Sequence, residues 1–219
     1  MRAKTTAILA VAFLLAACEV NDEAPEVPTD EEAAPDDQEL PLVPDDEGFE
    51  LADPNDFVED NVFRGQGIVL PAPEDWRFDE MAFAQGVVLA SPEDGLQQLA
   101  GQAVDTDALD EELDFDELLD ANRDQFAVSP SIDEEIDIDG AVRAHQLRFD
   151  EIPTQQEGQA EGSLVLVLAD SGDGELAVFN YAAAVDDFEE DVAALLQEAG
   201  FDPDSDPAPP DPLPQAPAP

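Results

Sequence analysis

A short run of consecutive apolar residues is the feature of the sequence that most restricts the fold. Five apolar side chains follow one another from Leu164 to Leu168, inside a segment that extends from Ser163 to Ala169. The segment is too short for a typical helix, and the turn-forming residues 170–174 follow it. Because successive side chains of a strand point to opposite faces, a strand that is apolar at every position must be buried on both. The sequence therefore predicts the middle strand of a sheet that is covered on both sides.

The segments on either side of this run supply further strands and helices. Residues 175–184 predict the next strand, and the apolar side chains from Phe188 to Ala199 recur on one face of a helix that is expected to end at Gly200. The other predicted elements are a strand over 62–70 broken by Gly65 and Gly67, a second strand over 81–90, a short helix starting at 91–94, a helix over 115–126 capped by Asp114, and a hairpin at Asp139-Gly140. This order predicts an α+β fold in which an antiparallel sheet of about five to seven strands has helices packed on it.

The charge of the chain excludes several classes of function. The sequence has 56 acidic and 7 basic residues and a formal net charge of −49. Proteins that bind nucleic acid need a surface of Lys and Arg to displace counterions from the phosphates, so this chain is not expected to bind DNA or RNA. With 43% hydrophobic residues and 12 phenylalanines, the chain also contains enough apolar material to build a core.

The first residues have the pattern of an export signal. Arg2 and Lys4 precede an apolar stretch that ends in Leu15-Ala16-Ala17-Cys18. This ending resembles the bacterial lipobox, which implies cleavage before Cys18 and attachment of lipid to its thiol. The alternative is an ordinary signal peptide with an incidental cysteine. Cys18 is the only cysteine, so the exported domain has no intramolecular disulfide and an unmodified Cys18 would be a free thiol outside the cell.

Composition divides the chain into four parts. Residues 1–17 are the predicted signal, and residues 18–60 form an acidic tether that is expected to be disordered, because the segment 19–60 has 18 acids, six prolines and no basic residue. Residues 61–202 are the predicted folded domain and contain all five arginines that follow the signal. Residues 203–219 are rich in proline and predict a disordered, polyproline-like tail.

The order of motifs in the domain resembles a known family. The segment Gly67–Trp76, the later Ile138-Asp139-Gly140-Ala141 before a strand, and a closing pair of strands with a final amphipathic helix are similar to the PsbP-like fold. Within it, the signal, tether and domain size are most similar to LpqN-type lipoproteins of the bacterial envelope. The resemblance covers roughly residues 61–201 and implies an extracytoplasmic helper or binding domain that is not an enzyme. It supplies no catalytic residues.

Three basic side chains on one predicted strand form the main candidate site. Arg143, His145 and Arg148 lie within six residues, and two interpretations are open. They bind an anionic group, or they pair with carboxylates of the same domain, which the acidic composition favours. Trp76 follows a Pro-x-Pro turn and is either a packed corner residue or an exposed contact for a ligand.

No residue pattern predicts catalysis, a metal site or a cofactor. His145 is the only histidine and Cys18 the only cysteine, so neither a zinc site nor a nucleophile with its base is recognisable. The acidic turn 170–175 lacks the alternation of a calcium loop and predicts a tight hairpin, with at most diffuse cation association.

These observations lead to three expectations about function, in order of preference. The first is a lipid-anchored, extracytoplasmic accessory domain that binds another envelope protein or lipid. The second is a polyanionic lipoprotein that binds cations or holds water at the surface of a salt-adapted cell. The third, a hydrolase, is disfavoured because no activated Ser, Cys or metal site is visible.

Overall fold

The computed structural model describes residues 53–93, 95, 97–109, 114–153 and 161–208. The predicted signal, Cys18 and its lipid, most of the tether and the last part of the tail lie outside these residues.

Two antiparallel sheets and three short α-helices build the described part of the chain. The strands are β1 (Val58–Glu59), β2 (Val62–Gly65), β3 (Ile68–Pro71), β4 (Trp76–Phe78), β5 (Val88–Pro92), β6 (Gln98–Asp105), β7 (Ile132–Glu135), β8 (Arg143–Ile152), β9 (Gly162–Asp170), β10 (Glu175–Ala184) and β11 (Gly200–Phe201). The helices are α1 (Glu80–Ala84), α2 (Phe115–Arg123) and α3 (Glu190–Ala194), and 3-10 helices occupy Pro54–Phe57, Thr106–Ala108, Val185–Asp187 and Leu195–Gln197. The large sheet has the order β4-β5-β6-β10-β9-β8-β7, and the small sheet has the order β1-β2-β3-β11. The α+β class and the antiparallel sheet are confirmed, whereas the second sheet was not predicted.

The apolar run forms a central strand of the large sheet, as predicted. It is β9, in which every residue from Gly162 to Ala169 is buried. Val165 and Val167 pack into a core shared with the small sheet and α3. Leu164 and Leu166 pack into a second core on the opposite face, together with α2. The two-sided apolar pattern therefore corresponds to three layers, with the large sheet in the middle.

Two other predictions match the structure. Asp114 caps α2, since its Oδ1 accepts hydrogen bonds from the backbone N of Asp116 at 2.9 Å and of Glu117 at 3.2 Å. β7 and β8 are antiparallel neighbours on either side of Asp139-Gly140, where Gly140 has φ 75°.

The strand predicted over 62–70 is instead the hairpin of β2 and β3. The chain reverses at Gln66 and Gly67, which have φ values of 50° and 78°. A side chain at Gly67 would also meet Pro207, which lies 3.1 Å from the position of a Cβ atom. Gly65 therefore ends β2 and Gly67 forms the turn, which a distant part of the chain covers, so the two glycines do not interrupt a single strand.

The predicted elements between residues 79 and 92 were also wrong. The strand predicted over 81–90 begins only at Val88, because Asp79 accepts a hydrogen bond from the backbone N of Ala82 at 2.7 Å and starts α1. Ser91 and Pro92 do not start a helix, since they end β5 and pair with β4.

The last predicted helix is shorter than expected, and Gly200 does not terminate it. Gly200 belongs to β11, pairs with Val69 of β3 and bridges to Asp139. A Cβ atom at this position would lie 2.6 Å from the backbone oxygen of Asp139. Glycine is therefore needed here for the close approach of two backbones, not for a helix end.

The folded part extends beyond both predicted ends of the domain. Residues 53–60, assigned to the tether, contain a 3-10 helix and β1, and Phe57 packs against Phe63 and Phe83. Residues 203–208, assigned to the tail, lie on the β2–β3 turn, where Ser205 Oγ accepts a hydrogen bond from the backbone N of Gly67 at 3.0 Å. We call residues 202–208 the C-terminal strap.

Candidate functional site

The three basic side chains of β8 lie on two different faces of the large sheet. Arg143 and His145 are on the face that carries α2, and Arg148 is on the face that carries α3. The separation follows from the alternation of side chains along a strand, because odd and even positions point in opposite directions. The three predicted ligand-binding residues therefore do not converge on one site.

Arg143 fastens the start of α2 to β8. Its guanidinium donates hydrogen bonds to both carboxylate oxygens of Asp116 and lies over the ring of Phe115, 4.3 Å from the ring centre. The hydrogen bond from Arg143 lowers the pKa of Asp116, and the same contact raises the pKa of Arg143. Arg143 and Asp116 therefore pair with each other within the domain.

His145 takes part in a small network centred on Asp133 of β7. Its Nε2 lies 2.5 Å from Asp133 Oδ1, and Arg123 donates to the same carboxylate from Nε at 2.8 Å and from Nη2 at 2.7 Å. Arg123 also donates to Asp120 at 3.0 Å. The hydrogen bonds from Arg123, the larger effect, and from His145 lower the pKa of Asp133 to about 2. The network joins β7, β8 and the end of α2.

The sequence did not predict Arg123 and Asp133 as members of this network. Arg123 is one of only five arginines after residue 17 and lies three residues after Asp120 near the end of a predicted helix, so the sequence does indicate its pairing with Asp120. The sequence does not indicate its pairing with Asp133, because that contact depends on how α2 lies across the sheet.

Arg148 fastens α3 to the other face of the sheet. Its Nη1 and Nη2 donate to the two oxygens of Glu190 at 2.9 and 2.8 Å, and its Nε donates to Asp150 at 2.9 Å. The guanidinium also lies over the ring of Phe188, 4.8 Å from its centre. These hydrogen bonds, that of Glu190 first, raise the pKa of Arg148 above its ordinary value. Arg148 therefore joins α3 to β8 on one face of the sheet, as Arg143 joins α2 to β8 on the other face.

Trp76 lies at the start of the edge strand β4 and is half-buried. Its ring packs beside Tyr181, with ring centres 6.3 Å apart, and Phe188 packs against Tyr181 at 5.0 Å. The hydroxyl of Tyr181 accepts a hydrogen bond from the backbone N of Glu189 at 3.1 Å. The packing of Trp76 fits a corner residue, and its predicted contact with a ligand stays a prediction.

The acidic turn between β9 and β10 uses its polar side chains internally. Asp170 Oδ1 accepts from the backbone N of Gly172 at 2.8 Å, and Ser171 Oγ accepts from the backbone N of Asp173 and of Glu175, each at 3.2 Å. This is the predicted hairpin turn. Within the described ranges, no group of three or more His, Cys, Asp or Glu side chains is arranged to hold a metal ion.

The arrangement as a whole consists of ionic contacts between the sheet and its covering helices.

Among the described residues, no helix is both long enough and apolar enough to cross a membrane. Comparison with known proteins adds no family: no family model matches the chain, and no curated protein matches it.

Proposed function

We propose that the protein is a lipid-anchored, extracytoplasmic accessory protein whose folded domain binds another component of the cell envelope and carries out no chemistry of its own. Attachment through Cys18 is supported by the lipobox-like sequence Leu15-Ala16-Ala17-Cys18. Assignment to the PsbP-like fold, and within it to LpqN-type lipoproteins, is part of the proposal. It is supported by the antiparallel sheet with helices on both faces.

One observation carries the functional part of the proposal. The basic side chains of β8 donate to carboxylates of the same domain, with Arg143 bound to Asp116 and Arg148 bound to Asp150 and Glu190. Groups engaged in this way position the helices and are poorly suited to bind an anionic substrate, since binding would draw the guanidinium away and leave its carboxylate without a partner. The outer surface of the domain is then the part available to a partner.

Crosslinking followed by purification from native membranes tests this proposal. The washes use high salt, which removes proteins that are held only by the negative charge. We expect one envelope component to be enriched with the wild-type protein and not with a Cys18-anchored chain that lacks residues 53–208. Equal recovery with both chains, or no enriched component, would show that the domain is not a binding module.

The lipid attachment has its own test. Cys18→Ser removes the only thiol in the chain, so the variant cannot form the thioether to lipid. We expect metabolic labelling with radioactive palmitate to mark the wild-type protein and not the variant, while both are exported. Labelling of the variant would contradict the anchor.

The excess of acidic residues favours a second candidate function, a polyanionic layer that binds cations or holds water. Under this alternative the charge itself is the function, and calcium should bind at several sites with micromolar affinity. Isothermal titration of residues 19–219 with calcium distinguishes the two. Deleting residues 19–52, which leaves the folded residues 53–60 intact, should weaken a charge-based function and leave a function of the domain unchanged.

A further inference from the structure

We propose that the open edge of β7 binds an extended, basic polypeptide segment, which adds a strand to the large sheet. The inference rests on the proposed function and deepens it, because it names the surface and the chemistry of the partner. β7 is the terminal strand of the large sheet and pairs with β8 on one side only; in the part of the chain that the structure describes, no strand pairs with its other side.

The other outer strands are shorter or covered. β1 and β11 have two residues each, and β11 bridges to Asp139 on its outer side. β4 has three residues, and the 3-10 helix Pro54–Phe57 lies beside it. β7, with four residues, is the longest outer strand in the described ranges. It therefore offers the best template for an added strand.

The hydrogen-bonding pattern shows which backbone groups of β7 are free. The backbone N of Ile136 donates to Ala144 at 3.2 Å, in continuation of the register in which Glu134 faces Gln146. In an antiparallel pair these groups alternate, so the N–H and C=O groups of Glu134 point to β8. The backbone N–H and C=O groups of Asp133 and Glu135 point to the open edge. An incoming strand can bond to both residues without breaking an existing bond.

Charge selects a basic partner. Glu134 and Glu135 are both exposed and point to opposite faces of the sheet. A strand that places two consecutive Lys or Arg residues opposite them forms a favourable pair on each face. A second copy of this chain is a poor partner, because after the signal it has five arginines and no lysine. Like charges on the edge repel another copy and leave the edge to a basic segment.

The edge is also held in place before binding. The carboxylate of Asp133 receives hydrogen bonds from Arg123 of α2, and it lies beside His145 of β8. β7 is therefore held by two other elements before a partner binds. This reduces the conformational entropy that is lost on binding.

The direct test is an NMR titration of residues 19–219 with the peptide Thr-Val-Arg-Lys-Val-Thr at about 0.1 M salt, where neighbouring charges still interact. We expect the amide signals of Asp133 and Glu135 to shift, and their hydrogen exchange to slow by about tenfold or more as the free amides become bonded. The peptide Thr-Val-Glu-Glu-Val-Thr serves as the control and should change neither signal. Shifts that spread over the acidic surface without involving β7 would overturn the inference.

Two variants separate the backbone contribution from the charge. Glu135→Pro removes an outward N–H and one of the two carboxylates, and no bond to β8, so it should abolish binding of the basic peptide while the urea midpoint stays near that of the wild type. The pair Glu134→Gln and Glu135→Gln keeps the edge and should weaken binding by roughly three- to tenfold. Unchanged affinity in the glutamine pair overturns the inference even if the proline variant does not fold.

The same variants separate this inference from the proposed function. If the wild-type protein and the glutamine pair enrich the same envelope component equally, the edge of β7 is not the binding surface, although the accessory function stands. If the wild-type protein enriches no component while the basic peptide binds β7, the accessory function fails and the edge remains a peptide-binding site.

Discussion

At the scale of single residues, the position of a cation along β8 decides which helix it holds. Arg143 and Arg148 are an odd number of positions apart and therefore point to opposite faces. Each donates to a carboxylate of the helix on its own face and lies over an aromatic ring, Phe115 in one case and Phe188 in the other. The sequence showed that these cations are rare and close together, but the alternation that separates them argues against one shared ligand.

Replacing Arg148 should destabilise the fold more than replacing an exposed arginine. Arg148→Met removes the hydrogen bonds to Asp150 and Glu190, and we expect the free energy of unfolding to fall by about 1–2 kcal/mol. Arg77→Met is the matched control, because Arg77 is exposed and its only ion pair in the described residues, with Glu93, is 3.5 Å long. That change should be close to neutral. Urea denaturation of both variants measures the difference, and equal midpoints would contradict the role given to Arg148.

The pKa of Asp133 predicts how the fold responds to acid. Arg123 and then His145 hold this pKa at about 2, below the ordinary value of 3.8. A carboxyl with a lowered pKa stabilises the folded state above its ordinary pKa, and this contribution is lost as the pH falls towards 2. We therefore expect the stability of the wild type to approach that of Asp133→Asn between about pH 4 and 2. Urea midpoints measured across this range provide the test, and a constant difference between the proteins would contradict it.

At the scale of elements, local signals predicted β9 and the start of α2 correctly but gave the wrong element at Ser91 and Pro92, and elements that depend on distant contacts were not predicted. The two-sided apolar run of β9 and the cap of α2 at Asp114 depend only on residues that are close together in the sequence. The β2–β3 turn is different, because Pro207 and Ser205 cover it from far along the chain. Gly200 likewise serves a contact with Asp139, which local helix rules cannot show.

The C-terminal strap provides a prediction at this scale. A chain that ends at Asp202 loses the hydrogen bond between Ser205 and Gly67 and the packing of Pro207 on the β2–β3 turn. We expect its free energy of unfolding to be lower by about 1–3 kcal/mol. A chain that ends at Ala208 keeps these contacts and is the control, with the stability of the full chain. Equal urea midpoints for the two truncated chains would show that residues 203–208 do not stabilise the fold.

At the scale of the whole molecule, the few cations are used where they hold layers together. Arg123, Arg143 and Arg148 join the large sheet to α2 or α3, while carboxylates such as Asp186, Asp187 and Glu198 are exposed. The outer surface is therefore strongly negative, and its self-repulsion opposes the compact state. Salt screens the repulsion between exposed charges that lie more than a screening length apart. It screens the partly buried ion pairs much less.

The balance of these charges predicts that salt stabilises the fold. At about 0.1 M salt the screening length is roughly 10 Å and neighbouring carboxylates repel, whereas at about 1 M it is near 3 Å. We expect the thermal midpoint of residues 53–219 to rise by about 5 °C or more between these concentrations of sodium chloride. The triple variant Asp186→Asn, Asp187→Asn and Glu198→Gln removes part of the repulsion, so its midpoint should be higher at low salt and should rise less. A midpoint that stays constant or falls with salt would show that the ion pairs outweigh the repulsion and that the acidic surface is not an adaptation to salt.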